Sequence, residues 1–352
     1  MQGALDATAL MLARDAKSLS SSEIQSRAEK LFASLYNRSE TLSVQINSTY
    51  SATTGRLVLT GNGVLKTHLA SVLGMSQMNI ATRSQIATAG ANLEIALVLD
   101  NTGSMSSAGK MEALKAASKM FIGELKKATQ KPGDIKISIV PFNTRVKIGT
   151  AYKSAPWIDF SALSYSEKQN WDGCVIDRDK SYDVSDTAPT SAATKFPADR
   201  SSCALPEILP LTTDFTLAIS RLGQMKPAGR TNTTIGLAWG WHALSTGVPL
   251  TEATSPSASV AKYIVFLTDG QNTENRWTTN TNDIDKRTEL VCSNLRTAGI
   301  KVFTIRVKEG NAALLKSCAT EPNMYFDVPA VSEMMAVFKN IAGNISRLRI
   351  AK

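Results

Sequence analysis

The sequence predicts an α/β protein with a doubly wound, mainly parallel sheet, preceded by a small α+β region. Three observations support this fold class. The continuous apolar run Ile95–Leu99 is typical of a central parallel strand that helices cover on both faces. Apolar residues at helical spacing follow it, from Met111 to Leu125. This alternation of strand and helix then repeats toward the end of the chain, which favours a doubly wound sheet.

The first 90 residues have a different pattern. Residues 3 to 37 predict two helices separated by a serine-rich break, with Ser21 or Ser22 as the cap of the second helix. From about 41 to 89, apolar and polar residues alternate, which predicts strands of antiparallel character. We therefore expect a helix-plus-strand region at residues 1–90.

Two details of this region are also expected. A short helical stretch should lie at Thr67 to Leu73, before the last strand of the region. The small residues from Ala87 to Ala91 should form the linker to the main domain, which occupies residues 91–352.

Within the main domain, strands and helices alternate at lengths that suit a compact α/β fold. The expected strands after Ile95–Leu99 lie at Ile135–Val140, Tyr263–Leu267 and Val302–Val307, with an edge strand at Val146 and Ile148 and a short strand near Tyr325. The expected helices span residues 214–223, 234–245, 283–298, 311–318 and 330–347.

Between about 151 and 212 the pattern shows no sustained period. A segment of this length inside a compact domain is either functional or disordered. It contains Trp157, Trp171, Cys174 and Cys203, residue types in which disordered segments are usually poor. We therefore expect an ordered insertion that forms an accessory lobe.

The formal net charge of +9 raises the question of a nucleic-acid partner. The basic residues are spread along the chain, and aromatic residues, at 6%, do not interleave with them to form a stacking platform. We therefore expect no nucleic-acid partner. The densest basic group lies on one predicted helix, and we interpret it as the solvated face of that helix. Its members are Lys110, Lys115, Lys119, Lys126, Lys127 and Lys131.

No run of 18 apolar residues occurs, so no membrane span is predicted. The first residues, Met1–Ala7, lack the basic start and apolar core of a signal peptide. Because the chain begins inside a predicted helix, we expect that an upstream anchor is missing from it.

The four cysteines, Cys174, Cys203, Cys292 and Cys318, form two pairs that are close in sequence. They contain no C-x-x-C spacing and have no histidine nearby in sequence, which disfavours a zinc site. Two local disulfides, Cys174–Cys203 and Cys292–Cys318, are expected, and they would imply an oxidising compartment. Four buried free thiols are the alternative.

Two predicted strands end in carboxylates, Asp100 and Asp269. In an open parallel sheet, ligands bind outside the carboxyl ends of the strands, so both aspartates should stand where a ligand is expected. Asp100 is followed by Thr102 and Ser104 at alternate positions of one loop, and oxygen ligands of this kind suit a hard cation such as Mg²⁺. Helix capping would explain Thr102 or Ser104, but it would not explain the second aspartate.

These residues resemble the metal-ion-dependent adhesion site (MIDAS) of von Willebrand factor A (VWA) domains. Asp100-Asn101-Thr102-Gly103-Ser104 is similar to the D-x-S/T-x-S motif, the stretch from Gly229 to Gly236 is similar to the second loop, and Thr268-Asp269-Gly270 is similar to the third. The resemblance implies a VWA fold with Asp100, Thr102, Ser104, Thr231 and Asp269 as metal ligands, some direct and some through water. Thr233 remains the alternative to Thr231. The implied cation is Mg²⁺, with Mn²⁺ and Ca²⁺ as alternatives.

Residues 93 to 350 further resemble the TadG-type proteins of the bacterial tight-adherence (Tad) pilus system. The similarity lies in the string from Leu97 to Met105, in Ile235–Trp241 and in the closing Ile345–Ile350. It implies a periplasmic or extracytoplasmic location, with an N-terminal membrane anchor that this chain lacks.

Other motifs carry less weight. The segment from Gly103 to Lys110 resembles a phosphate-binding loop. Its glycines are not at the spacing of that motif, and no Ser or Thr follows the lysine. His242 lies in an apolar helical setting typical of a core histidine, and Trp239 and Trp241 fall on different helix faces. A calcium site at Asp177, Asp179 and Asp183 lacks the EF-hand glycine and distal glutamate, so a solvated acidic turn is expected there.

The function expected from these features is a non-enzymatic adhesion or assembly module. Its divalent cation would bind an acidic residue of a protein partner, such as a pilus or Tad-system component. The alternatives are a Mg²⁺-dependent phosphoryl-transfer enzyme and a structural periplasmic domain that a metal stabilises. The sequence shows no positioned base or nucleophile near the aspartates, which weighs against an enzyme.

Overall fold

The computed structural model describes residues 1–350 except 14, 17, 39, 52–55, 68–73, 88–91 and 258–259. The chain divides into two compact units, Met1–Ala91 with Arg347–Lys352, and Asn92–Ser346. The sequence had assigned everything after residue 90 to one domain. The helical stretch expected up to Leu73 and most of the expected linker lie outside the described residues.

The N-terminal unit contains two helices and a three-stranded antiparallel sheet. The helices are α1 (Gln2–Ala13) and α2 (Ser21–Leu35), and the strands are β1 (Thr41–Ser51), β2 (Arg56–Lys66) and β3 (Gln77–Ala87), in the order β1-β2-β3. Leu5, Phe32, Leu57 and Leu59 are among the residues that form its core.

The cap of α2 differs from the predicted one. Ser20, not Ser21 or Ser22, accepts a hydrogen bond from the backbone N–H of Glu23, and the Glu23 carboxylate accepts one from the Ser20 N–H. This reciprocal capping box satisfies two backbone donors at once, which explains why the helix begins one or two residues earlier than predicted.

The second unit is built on a six-stranded sheet in the order β10-β5-β4-β11-β12-β13. All neighbouring strands are parallel except β10, which pairs antiparallel with β5. The strands are β4 (Asn92–Asp100), β5 (Ile135–Phe142), β10 (Leu209–Thr212), β11 (Val260–Thr268), β12 (Lys301–Val307) and β13 (Tyr325–Val328). The order reverses between β4 and β11, as in a doubly wound fold.

The major helices agree with the predicted ones to within a few residues at each end. They are α3 (Lys110–Ala128), α5 (Phe215–Gly223), α6 (Thr233–Leu244), α7 (Thr281–Thr297), α8 (Ala312–Cys318) and α9 (Met334–Ile350). No helix in the described part of the chain has the length and apolar composition of a membrane span.

The edge strand was placed wrongly from the sequence. Val146–Lys147 forms a short strand, β6, but it pairs with β8 (Cys174–Val175) in a separate two-stranded ribbon. The edge of the central sheet is β10, which the sequence had counted as the end of the insertion. The period-2 alternation of Leu209 and Leu211 spans only four residues, too short to stand out from an irregular segment.

The insertion is ordered and contributes to the core of the second unit. It contains a short helix, α4 (Tyr165–Gln169), and a parallel pair of two-residue strands, β7 (Ile158–Asp159) and β9 (Phe196–Pro197). Trp157 packs edge-on against Phe196, whose ring contacts Trp239 of α6. The insertion therefore packs against α6 and is not a separate lobe.

Helix α6 approaches the sheet closely because two glycines face it. A Cβ at Gly240 would lie 2.5 Å from Cγ2 of Val98, and a Cβ at Gly236 would lie 2.7 Å from the ring of Phe142. Trp239 on this helix is buried and Trp241 is partly exposed, as their different helix faces had indicated.

Gly240→Ala should therefore destabilise the protein although alanine is the better helix former. Overpacking of this kind costs typically about 1–3 kcal/mol. Gly123→Ala on α3 is the matched control, because nothing lies within 4 Å of its added Cβ. The control should gain up to about 1 kcal/mol from helix propensity. Urea unfolding of both variants tests this, and equal changes in the free energy of unfolding would contradict it.

Both cysteine pairs are disulfide-bonded in the structure. Cys174 is joined to Cys203 within the insertion, and Cys292 of α7 is joined to Cys318 at the end of α8. These are the expected pairings, and the described residues include no free cysteine.

Removing the second bridge should lower the free energy of unfolding. Its cysteines are 26 residues apart, and the chain-entropy treatment assigns about 3 kcal/mol to a loop of this size. The Cys292→Ala/Cys318→Ala variant should lose roughly this amount in guanidinium unfolding. Peptide mapping of the native protein without reductant is the companion measurement, and the recovery of free thiols would contradict both the pairing and the oxidising compartment.

Candidate metal centre

Asp100 ends the central strand β4 and is fully buried. Its Oδ1 accepts a hydrogen bond from the backbone N–H of Thr102 at 2.8 Å, and the chain then turns through a short 3₁₀ segment, Gly103–Ser106. The hydroxyls of Thr102 and Ser104 lie 2.9 Å apart. The alternate positions of this loop therefore converge, as the sequence had predicted.

Asp269 directly follows the neighbouring strand β11 and is also fully buried. The Ser104 hydroxyl donates to Asp269 Oδ1 at 2.5 Å, and the Thr268 hydroxyl donates to Asp100 Oδ2 at 2.6 Å. The two strand-end carboxylates thus belong to one hydrogen-bonded group, which also contains the first loop.

The third contribution comes from the loop before α6. The hydroxyls of Thr231 and Ser104 each lie 3.5 Å from the position that a Cβ at Gly270 would take, so both face the same point. The Thr233 hydroxyl is buried against Asn272 Oδ1 and the Thr288 hydroxyl on the other side of the loop. The structure therefore brings Thr231 to the group of Asp100, Thr102, Ser104 and Asp269, and it does not bring Thr233.

Backbone hydrogen bonds hold the first two loops together. The Gly103 N–H donates to the Gly229 carbonyl at 2.9 Å, and the Ala228 N–H donates to the Asn101 carbonyl at 2.8 Å. Gly229 has a φ of +81°, and a Cβ there would lie 2.8 Å from the Asn143 amide nitrogen. A glycine is therefore required at this position.

The third loop is tied to the second through Thr231. The Thr231 carbonyl accepts hydrogen bonds from the N–H groups of Thr273 and Glu274, and its N–H donates to the Thr273 hydroxyl. At the rim, Arg230 and Glu274 form an ion pair at 3.0 Å. The geometry of Thr231 is thus set by contacts on both sides.

The electrostatics of the group favour an added cation. Burial, together with the charge of Asp269, raises the pKa of Asp100 to about 6, although hydrogen bonds from Thr102 and Thr268 act in the opposite direction. Among the described residues, Asp100 has no cationic partner. The candidate metal ligands are carboxylate and hydroxyl oxygens only, which are the ligands that hard divalent cations prefer. Ser104 is exposed, so the group opens to solvent on its side. The residues present therefore fit a divalent cation.

Lys110 was missed by the sequence analysis, which placed it on a solvated helix face. It is the first residue of α3 and only 2% exposed, and its Nζ lies 2.7 Å from Asp269 Oδ2. The other lysines of the same helix, which suggested one solvated face, hid this residue. The signal that distinguishes it is its position in the first turn, six residues after Ser104.

The acidic residues of the insertion are neither a calcium site nor a solvated turn. Asp177 is buried and accepts two hydrogen bonds from the Asn232 side-chain amide, at 2.9 and 3.0 Å, and one from the Arg276 N–H. Asp183 is buried and pairs with Arg287, and Asp179 pairs with Arg276 at 2.7 Å. Since Asn232 follows Thr231, Asp177 connects the insertion to the second loop.

His242 is a core residue, as its apolar setting had indicated. It is buried against the rings of Phe196 and Trp239, and its Nδ1 lies 3.0 Å from Asp186 Oδ1. Desolvation lowers its pKa, although the hydrogen bond to Asp186 acts in the opposite direction. The Ser245 hydroxyl donates to the same carboxylate and not to the imidazole, so these residues do not form a nucleophilic triad.

The fold and the site define a doubly wound α/β domain with an acidic, hydroxyl-rich centre at the ends of adjacent strands. Residues 207–340 match the family model of the von Willebrand factor type A domain. This range includes Thr231 and Asp269 and lies after the Asp100 loop. The chain therefore contains a VWA domain. No curated protein matches the chain at a significant level.

Several solved structures are similar to this chain at low identity. The pilus adhesin SpaC from Lactobacillus rhamnosus GG is 14% identical with a TM-score of 0.46, and the alignment covers 87% of this chain and 34% of SpaC. The vWF domain of the type V pili tip protein Mfa5 from Porphyromonas gingivalis is 13% identical with a TM-score of 0.46, over 73% of this chain and 96% of that domain.

Proximal thread matrix protein 1 from the mussel byssus, with a zinc-occupied MIDAS motif, is 16% identical with a TM-score of 0.42. The alignment covers 73% of this chain and 46% of that protein. This chain thus spans about a third of SpaC and about half of the thread matrix protein.

Asp177→Ala should destabilise the domain, because the buried Asn232 amide and the Arg276 N–H lose their acceptor. An unsatisfied buried donor costs about 1–3 kcal/mol. Asp179→Ala is the matched control, since that carboxylate is about half exposed and its ion pair with Arg276 is screened by solvent. Thermal unfolding of both variants is the measurement. A control that loses as much stability as Asp177→Ala would contradict the assigned role of the buried contact.

Proposed function

We propose that this chain is a non-enzymatic adhesion or assembly module that binds an acidic group of a protein partner through a divalent cation. Asp100, Thr102, Ser104, Thr231 and Asp269 would hold the cation, some directly and some through water. Mg²⁺ is the proposed ion, with Mn²⁺ and Ca²⁺ as alternatives. When bound, the cation would supply a positive charge that an acidic group could approach from the exposed Ser104 side, and these residues would hold it in place.

One observation carries this proposal. Asp100 and Asp269 are fully buried on adjacent strand ends, and Asp269 has a cationic partner in Lys110 whereas Asp100 has none among the described residues. A buried carboxylate without a counter-charge is strongly unfavourable. A divalent cation removes this penalty for Asp100, and the exposed Ser104 side leaves it accessible to a partner.

The same geometry favours binding over catalysis. A phosphoryl-transfer enzyme needs a positioned base or nucleophile beside its metal. In the part of the chain that the structure describes, the groups nearest the carboxylates are hydroxyls and Lys110, whose ammonium is bound to Asp269. The alternative of a structural domain that a metal stabilises predicts the same cation affinity, but it predicts no partner.

The proposed location is the extracytoplasmic face of a bacterial membrane, in or near the periplasm. Two disulfides support an oxidising compartment. The resemblance to TadG-type proteins supports a role in the tight-adherence pilus system, with pilus components as partners and a membrane anchor. We propose no nucleic-acid partner.

Asp100→Ala should abolish binding of Mg²⁺ and Mn²⁺ in isothermal titration calorimetry. Loss of an outer-shell partner already costs about 10–100-fold in metal affinity, and a charged ligand should cost more. Asp283→Ala, a change at an exposed carboxylate on α7, should bind the ion like the native chain. Circular dichroism verifies that both variants remain folded. Undiminished binding by folded Asp100→Ala would remove the site assignment.

Thermal shift and capture measurements then separate the three functional readings. An adhesion module should gain stability with Mg²⁺ or Mn²⁺, lose it with EDTA, and capture purified pilus components only with metal. A stabilising metal would give the shift without metal-dependent capture. Release of phosphate from phosphoryl substrates that depends on Asp100 would favour the enzyme.

A further inference from the structure

Lys110 is a buried cation inside the candidate metal centre. Lysine is rarely buried unless it is paired, and here the side chain is 3% exposed. Its Nζ lies 2.7 Å from Asp269 Oδ2, 3.5 Å from the Ser104 carbonyl and 3.8 Å from Glu309 Oε2. The ammonium therefore contacts a proposed ligand carboxylate and the backbone of the ligand loop.

The lysine changes the charge of the centre. Its buried ionisable groups are two carboxylates, Asp100 and Asp269, and one ammonium, so the group carries a net charge of −1 before a metal binds. A divalent cation changes this to +1. The same centre without the lysine would change from −2 to neutral.

The other nearby charges do not cancel this difference. The Glu309 side chain is 74% exposed, so solvent screens most of its effect. Arg230 and Glu274 at the rim form an exposed ion pair with no net charge. Buried charges interact through a lower effective dielectric and are screened less by salt.

We infer that Lys110 is a specificity-determining residue that sets the charge of the metal centre. The loaded centre then binds anionic groups more tightly, and holds its cation less tightly, than an equivalent centre without the lysine. This inference rests on the proposed function and adds the residue that sets how tightly that site binds an anionic group. A lysine that only anchors the loop would affect stability and leave both affinities unchanged.

The test uses the full chain, Mn²⁺ as the metal and acetate as the anionic probe. Electron paramagnetic resonance of free Mn²⁺ gives the metal affinity, and the relaxation rate of water protons reports displacement of Mn²⁺-bound water by acetate. Lys110→Met should bind Mn²⁺ at least about tenfold more tightly, and its Mn²⁺ form should bind acetate at least about tenfold more weakly. Lys119→Met, an exposed change on the same helix, should match the native chain.

A second variant keeps the test decisive if Lys110→Met does not fold. Lys110→Gln removes the same charge but keeps a hydrogen-bond donor beside Asp269, so it should remain folded. It should strengthen Mn²⁺ binding and weaken acetate binding, the same directions as Lys110→Met. If the folded variants leave both affinities within twofold of the native values, the inference is overturned. If the native chain itself binds no Mn²⁺, the proposed function fails, and the role of Lys110 fails with it.

Discussion

The burial of two carboxylates at adjacent strand ends is the constraint on which the second unit depends. Asp100 and Asp269 are fully buried, and each needs donors in place of the water it has lost. The Thr102 N–H and the Thr268 hydroxyl serve Asp100, and the Ser104 hydroxyl and Lys110 serve Asp269. The two buried carboxylates need hydrogen-bond donors and a counter-charge. This need fixes the positions of the loops after β4 and β11 and of the start of α3.

Helix α6 connects these strand ends to the rest of the second unit. Gly236 and Gly240 allow it to lie against Phe142 and Val98, so its first turn stands beside the strand ends. Its middle carries Trp239, which packs against Phe196 of the insertion. One close-packed helix thus joins the loop that presents Thr231 to the aromatic core. Because interiors of this density do not deform continuously, small shifts at one end are resisted at the other.

The sequence predicts the sheet and the ligand group because both depend on local pattern. The apolar run before Asp100 identifies a buried strand, and alternate hydroxyls follow directly in the same loop. The burial of Lys110 and Asp177 does not depend on the local sequence pattern. Each is a charged residue in a polar stretch, and its burial depends on Asp269 and Asn232, which lie 159 and 55 residues away. The pattern of charged residues indicates which segments are exposed to solvent. It does not identify the few charged residues that are buried because their partners lie in distant loops.

The insertion helps to support the loop that presents Thr231. Asn232 donates to Asp177 of the insertion and is preceded by Thr231, so the backbone that presents the Thr231 hydroxyl is fixed partly from the insertion side. Deleting the segment would remove this acceptor and would also expose the ring of Trp239. A role of the insertion in partner binding can therefore be tested only by exchanging exposed residues on it, since removal of the whole segment would disturb the core and the Thr231 loop together.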